Sequence, residues 1–176
     1  MKKVIAFAGS NSSTSINQQL IHYASSLYSN TSVTIIDLRA YQLPIYSEDL
    51  EKDAGFPEDL SKLLQLIKDH DAVMLSVNEH NGTVSAFFKN VLDWLSRIEY
   101  KFLSEKKVLL MSSSTGKRGA QTALEYVAMV LPRFGIESIL TYKLPSFSEN
   151  FTDGEISEAA LQSQLQETIE QFEAIL

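Results

Sequence analysis

Cysteine is absent from the 176-residue chain. That excludes disulfides, thiolate nucleophiles, cysteine-held zinc and iron–sulfur clusters, and it fits a reducing, cytoplasmic setting. Long apolar runs are missing too. The run after the two N-terminal lysines ends at Ala8, short of the core of a secretory leader, and no stretch approaches the ~20 apolar residues of a membrane helix. Positive charge is scarce. Lys and Arg total 15 against 22 Asp and Glu, a net charge of −7, which argues against a general nucleic-acid or membrane surface. His22, His70 and His80 are the only histidines and show no metal-ligand spacing. No G-x-S-x-G elbow, no lysine-bearing Walker loop and no three-glycine dinucleotide turn is found. There is no repeat, low-complexity tract or linker, so residues 1–176 read as one domain.

Five short apolar runs are present: Lys3–Ala8, Ser32–Leu38, Ala72–Val77, Lys107–Met111 and Ile136–Tyr142. Each is nearly continuous in apolar character, as strands buried on both faces are. Helical stripes fall between them. Ile16, Leu20, Tyr23, Ala24 and Leu27 share one face, and Leu60, Leu63, Leu64 and Ile67 another. Val84, Phe88, Val91, Leu92 and Leu95 form a third, Leu124, Val127, Ala128 and Leu131 a fourth, and Ile156, Ala160, Leu161, Leu165 and Ile169 a fifth. Strict alternation predicts an α/β three-layer sandwich on a five-stranded parallel sheet, flavodoxin-like in its order 2-1-3-4-5, with ligands at the carboxyl ends of the strands. The longest irregular stretch is Arg39–Pro57, readable as an acidic surface loop or a functional one. Phe87, Trp94 and Ile98 lie off the core stripe of their helix, and this second apolar face suggests a subunit interface.

Three strand-to-helix loops share a chemistry. The first, AGSNSSTSINQ from Ala8 to Gln18, carries five hydroxyls, two asparagines, one glycine and no charge. Hydroxyls at a helix N-terminus suit an anion, although a polar capping loop looks the same. The second, Asn78–Thr83, holds the Asn81-Gly82 turn. The third runs from Ser112 through Thr115 and Gly116 to the cationic pair Lys117 and Arg118, a phosphate attractor or a pair of solvated charges. One anion would need one such loop. A flat heterocycle joined to a phosphate would use all three.

At these loops the sequence resembles the NADPH-dependent FMN reductase family, which includes azoreductases, chromate reductases and quinone reductases. The first loop, GSNSSTSIN, matches the family pattern at Gly9, Ser10, Ser15 and Asn17, with Ser12 standing where the family has arginine. The second, NEHNGTVSAFFKNVLDW, matches at Glu79, Asn81, Gly82, Lys89, Asn90, Leu92, Asp93 and Trp94, with Asn78 for proline and His80 for tyrosine. The third retains Gly116 and Gly119. The resemblance spans about residues 2–142. It implies FMN held at its phosphate by Ser10, Ser12, Ser13, Ser15, Ile16 and Asn17. It places Asn78, Glu79, His80, Asn81 and Gly82 beside the ring, and Ser113, Ser114, Thr115 and Gly116 along its edge. It further implies hydride transfer from NADPH or NADH to a small acceptor (quinone, azo dye, chromate or free flavin), in a homodimer or homotetramer. No acid–base residue is required by that chemistry. A flavodoxin-type electron carrier and a non-redox nucleotide- or phosphate-binding module are the alternatives.

Overall fold

The computed structural model describes residues 1–176. Strands β1 (Lys2–Ala8), β2 (Thr31–Ile35), β3 (Ala72–Val77), β4 (Lys107–Ser113) and β5 (Ser138–Leu144) form one parallel sheet in the order 2-1-3-4-5. The helices longer than one turn are α1 (Ile16–Ser26), α2 (Glu48–Ala54), α3 (Glu58–Lys68), α4 (Ala86–Ile98), α5 (Gln121–Val130) and α6 (Ala159–Ile175). Successive strand residues feed opposite cores. Ile5, Phe7, Val73, Leu75, Val108 and Leu110 pack with α3, α4 and α5. Val4, Ala6, Ala72, Met74, Leu109 and Met111 pack with α1 and α6. Burial on both faces is why these runs show no polar alternation.

Local chemistry sets the helix starts. Ser15 Oγ accepts the Gln18 N–H at 3.2 Å, Ser47 Oγ the Leu50 N–H at 3.1 Å, and Ser85 Oγ the Phe88 N–H at 3.1 Å. Each satisfies a donor that the helix itself leaves free. Parallel register then levels the strand ends: Ala8 lies beside Ser76, and Ser76 beside Met111.

Boundaries differ from expectation in places. β2 stops at Ile35, because Asp37 caps a 3₁₀ turn over Leu38–Ala40. β4 runs on to Ser113, and β5 is shifted to Ser138–Leu144. Val84 and Ile156 belong to two short hairpins, Glu79–His80 with Thr83–Val84 and Phe151–Thr152 with Glu155–Ile156, rather than to helices. The stretch Arg39–Pro57 is not one irregular loop, since α2 lies inside it.

That stretch also corrects the Trp94 expectation. Trp94 is fully buried within its own chain. Its indole N–H donates to Pro44 O at 2.7 Å, and the Tyr46 and Phe56 rings meet it edge-on at 5.1 and 6.4 Å between centroids. Asn90 completes the clasp: Oδ1 accepts the Tyr46 N–H at 2.8 Å, and Nδ2 donates to Leu43 O and Pro44 O at 3.2 and 3.0 Å. Arg97 pairs with Glu51 of α2 at 2.8 Å. Residues 41–57 thus form a strap that covers Trp94 on the second apolar face of α4.

Candidate functional site

Above the carboxyl ends of β1, β3 and β4 the three loops enclose one cleft of about 260 Å³. The first loop contributes Ser10, Ser12, Thr14, Ser15, Ile16 and Asn17; the second Asn78, Glu79 and His80; the third Ser113, Ser114 and Thr115. Thr14 was not among the expected site residues. Ser13, Asn81, Gly82 and Gly116 lie off the cleft wall. Asn81 and Gly82 form the hairpin tip at φ 51° and 79°, the left-handed pair that a two-residue turn needs.

The first loop is a cradle of donors. Ser10 Oγ accepts the Ser12 N–H at 3.2 Å, Ser12 Oγ accepts the Thr14 N–H at 3.2 Å, and Ser15 Oγ caps Gln18. Backbone donors therefore occupy lone pairs on these oxygens, Ser12 Oγ and Thr14 Oγ1 share one proton at 3.4 Å, and the remaining hydroxyl protons are free to donate outward. The N–H groups of Ile16 and Asn17 open α1 with no helical acceptor, and the helix dipole adds positive potential there. Gly9 is required by a close approach: a Cβ there would sit 2.8 Å from the Phe88 ring. Its carbonyl accepts the Ser85 hydroxyl at 2.8 Å, tying the loop to α4.

The Asn17 side chain is engaged within the protein. It is buried, accepts from Ser76 Oγ at 2.7 Å and the Ser113 N–H at 3.0 Å, and donates to Ser113 O at 3.2 Å. One amide thus stitches the ends of β3 and β4 to the first loop. Ser113 Oγ donates to Leu144 O at 2.9 Å, and Ser114 Oγ accepts the Ala120 N–H at 3.1 Å. Of the expected hydroxyls in the third loop, Thr115 alone makes no hydrogen bond within the protein.

Glu79 has a long-range task. α5 opens from Ala120 at φ 61° with no side-chain cap of its own, and the Glu79 carboxylate takes the Ala123 N–H at 3.1 Å. Asn78 Nδ2 lies 3.3 Å from His80 Nε2, while Asn78 Oδ1 is buried without a partner. The cationic pair stands outside the cleft wall. Arg118 donates to Thr122 Oγ1 at 2.9 Å, and Lys117 has no ion-pair partner.

Residues 2–146 match the description of the NADPH-dependent FMN reductases. The chain belongs to this family. Its members are oxidoreductases that use FMN with NAD(P)H. A Mycoplasma pneumoniae protein of uncharacterised function is 35% identical over 149 residues, 82% of this chain and 85% of its own. The quinone reductase of Escherichia coli K12 is 33% identical over 89 residues, 51% of this chain and 47% of its own, so the match spans about half of that relative. Among solved structures, the flavoenzyme NAD(P)H:acceptor oxidoreductase FerB of Paracoccus denitrificans superposes with a TM-score of 0.80. It is 24% identical, with 98% of this chain and 95% of that one covered, and shares the fold. Asn90 and Trp94, on which the sequence resemblance partly rested, form the clasp of the strap in this FMN reductase and not a wall of the cleft. No helix is long and apolar enough to cross a membrane.

Proposed function

We propose that this chain is an FMN-dependent NAD(P)H oxidoreductase acting on a small acceptor of the quinone class. The observation that carries the reading is the outward-donating cradle of the first loop beside a cleft walled by two further uncharged loops. The residues fit the cofactor. Hydroxyls of Ser10, Ser12, Thr14 and Ser15, with the N–H groups of Ile16 and Asn17, supply donors to a phosphate dianion without a cation. Asn78, Glu79 and His80 on one side and Ser114 and Thr115 on the other border a planar ring. Bound FMN would supply the two-electron hydride-transfer chemistry between NAD(P)H and the acceptor. The chain's own part is to hold the phosphate, fix the ring between two loops, and keep both walls in place through Asn17 and Glu79.

A homodimer in the cytoplasm belongs to the same proposal. Absence of cysteine supports the compartment, and Ile45 and Phe56, exposed on the strap, supply apolar surface for a partner copy. Light scattering of the purified protein tests the assembly. The function is tested by fluorescence titration with FMN, anaerobic bleaching by NADPH and NADH, and steady-state turnover with a benzoquinone. Bleaching with quinone turnover is the expected result. FMN binding without nicotinamide oxidation would make the protein a carrier instead, and no FMN binding would make it a non-redox module.

A further inference from the structure

Quinone reduction consumes a hydride and a proton, and only the hydride is carried by nicotinamide and flavin. Of the twelve side chains on the cleft wall, Glu79 and His80 are the two that carry an acid–base group. The Glu79 carboxylate holds the Ala123 N–H, so it is a cap rather than a proton source. His80 is left. Its ring is exposed to the cleft, and Asn78 Nδ2 lies 3.3 Å from Nε2.

We propose that His80 is the proton donor to the reduced acceptor, with Nε2 as the exchanging nitrogen and Asn78 as the residue that positions the ring. The inference rests on the function proposed above. Asn78 is suited to the task because an amide serves both protonation states. It donates from Nδ2 to a bare Nε2, and after half a turn it accepts from Nε2–H through Oδ1. That oxygen is buried and unpartnered in the neutral arrangement, so protonation of the ring gives it a charge-assisted partner. The balance closes. The acceptor takes a hydride with its electron pair from NAD(P)H by way of FMN, His80 imidazolium gives one proton to the resulting hydroquinone anion, and neutral His80 regains a proton from water.

Other charges around the ring are few. His80 has no ion-pair partner within 4.0 Å. On α5, which packs against its hairpin, Glu125 holds Gln121 Nε2 and Tyr126 packs against the core. Lys89 of α4 is paired with Asp93 at 2.6 Å. Lys117 and Arg118 sit on the third loop, and the first loop carries no ionisable group.

The test compares two acceptors on the FMN-loaded protein: a benzoquinone, which needs a proton, and ferricyanide, which takes one electron and none. In the wild type the quinone rate falls as pH rises, while the ferricyanide rate does not follow it. His80→Phe is expected to lower the quinone-to-ferricyanide ratio about 100-fold and to abolish that pH dependence. His80→Gln repeats the measurement should the phenylalanine disturb folding. Independently of turnover, ¹⁵N resonances of the ring report the tautomer. Bare Nε2 is expected in the wild type, and Asn78→Leu should return the ring to the mixture of free imidazole. An unchanged ratio in both His80 variants overturns the proton-donor role, and an unchanged tautomer in Asn78→Leu overturns the positioning role. Loss of FMN binding in both His80 variants marks His80 as a wall residue and also refutes it. A wild type that binds no FMN, or is not bleached by NAD(P)H, removes the underlying function and this inference with it.

Discussion

Removing the Asn90 amide tests whether the family signature on α4 is structural. Asn90→Ala deletes the acceptor of the Tyr46 N–H and both donors to Leu43 O and Pro44 O. At about 1 kcal/mol per bond, with part of the Tyr46 N–H left unsatisfied, the loss is about 2–4 kcal/mol. For a chain of this size that lowers Tm by roughly 5–15 °C. Trp94 suffers indirectly, because its indole shares the Pro44 carbonyl with Asn90. Calorimetry gives the stability and fluorescence titration the FMN affinity. Affinity should stay within about 2-fold, since no residue from 41 to 57 lines the cleft. Asn90→Asp sharpens the test. It keeps the acceptor for Tyr46 but turns a carboxylate toward two carbonyl oxygens, so it should destabilise at least as much as alanine at neutral pH and recover as pH falls through the carboxylate range. Loss of FMN binding at unchanged Tm would refute the reasoning, because the signature would then serve the cofactor.

Gly9→Ala should cost about 1–3 kcal/mol in urea unfolding, because its methyl meets the Phe88 ring at 2.8 Å. Ser12→Arg restores a cation at the cradle and should tighten FMN about 10-fold in fluorescence titration, and weakened binding would show that the Ser12–Thr14 turn matters more. Glu79→Ala should speed hydrogen exchange at the first turn of α5, leaving the Ala123 amide less protected than in the wild type. Acid should loosen the strap. The Arg97 guanidinium, with the Tyr46 hydroxyl, holds Glu51 below the ordinary glutamate range. The unfolded chain therefore takes up this proton first, so the pair's stability is complete above the free value of about 4.3 and is lost as pH falls through the lower folded value. Melting curves between pH 7 and 3 should show that loss in the wild type and a shallower one in Glu51→Gln.

Strand order and sheet type were legible because burial on both faces leaves a continuous apolar run that no solvated element shows. The three loops were legible as one rim for a similar reason: Gly9, Asn81-Gly82 and Gly116 each follow such a run. α2 escaped notice because it buries no residue, so it has no apolar stripe to read. Trp94 misled because helical spacing records which face is apolar but not which segment covers it. The cover comes from Pro44, Tyr46 and Phe56, about forty to fifty positions earlier in the chain. Within the cleft, composition identified hydroxyls but could not sort them. Ser113 points into β5 and Ser12 into its own turn, and only the paired strands decide which. The carboxylate of Glu79 reads locally as part of a hairpin, and its helix lies more than forty residues downstream.

The single amide of Asn17 has a wider consequence. Because it fastens three strand-to-helix junctions before any guest arrives, docking need not freeze a floppy mouth, and little entropy is forfeited on entry. Exchange of the segment from Gly9 to Asn17 with that of another protein would succeed only where the recipient offers a serine in the place of Ser76 and a free peptide edge in the place of Ser113.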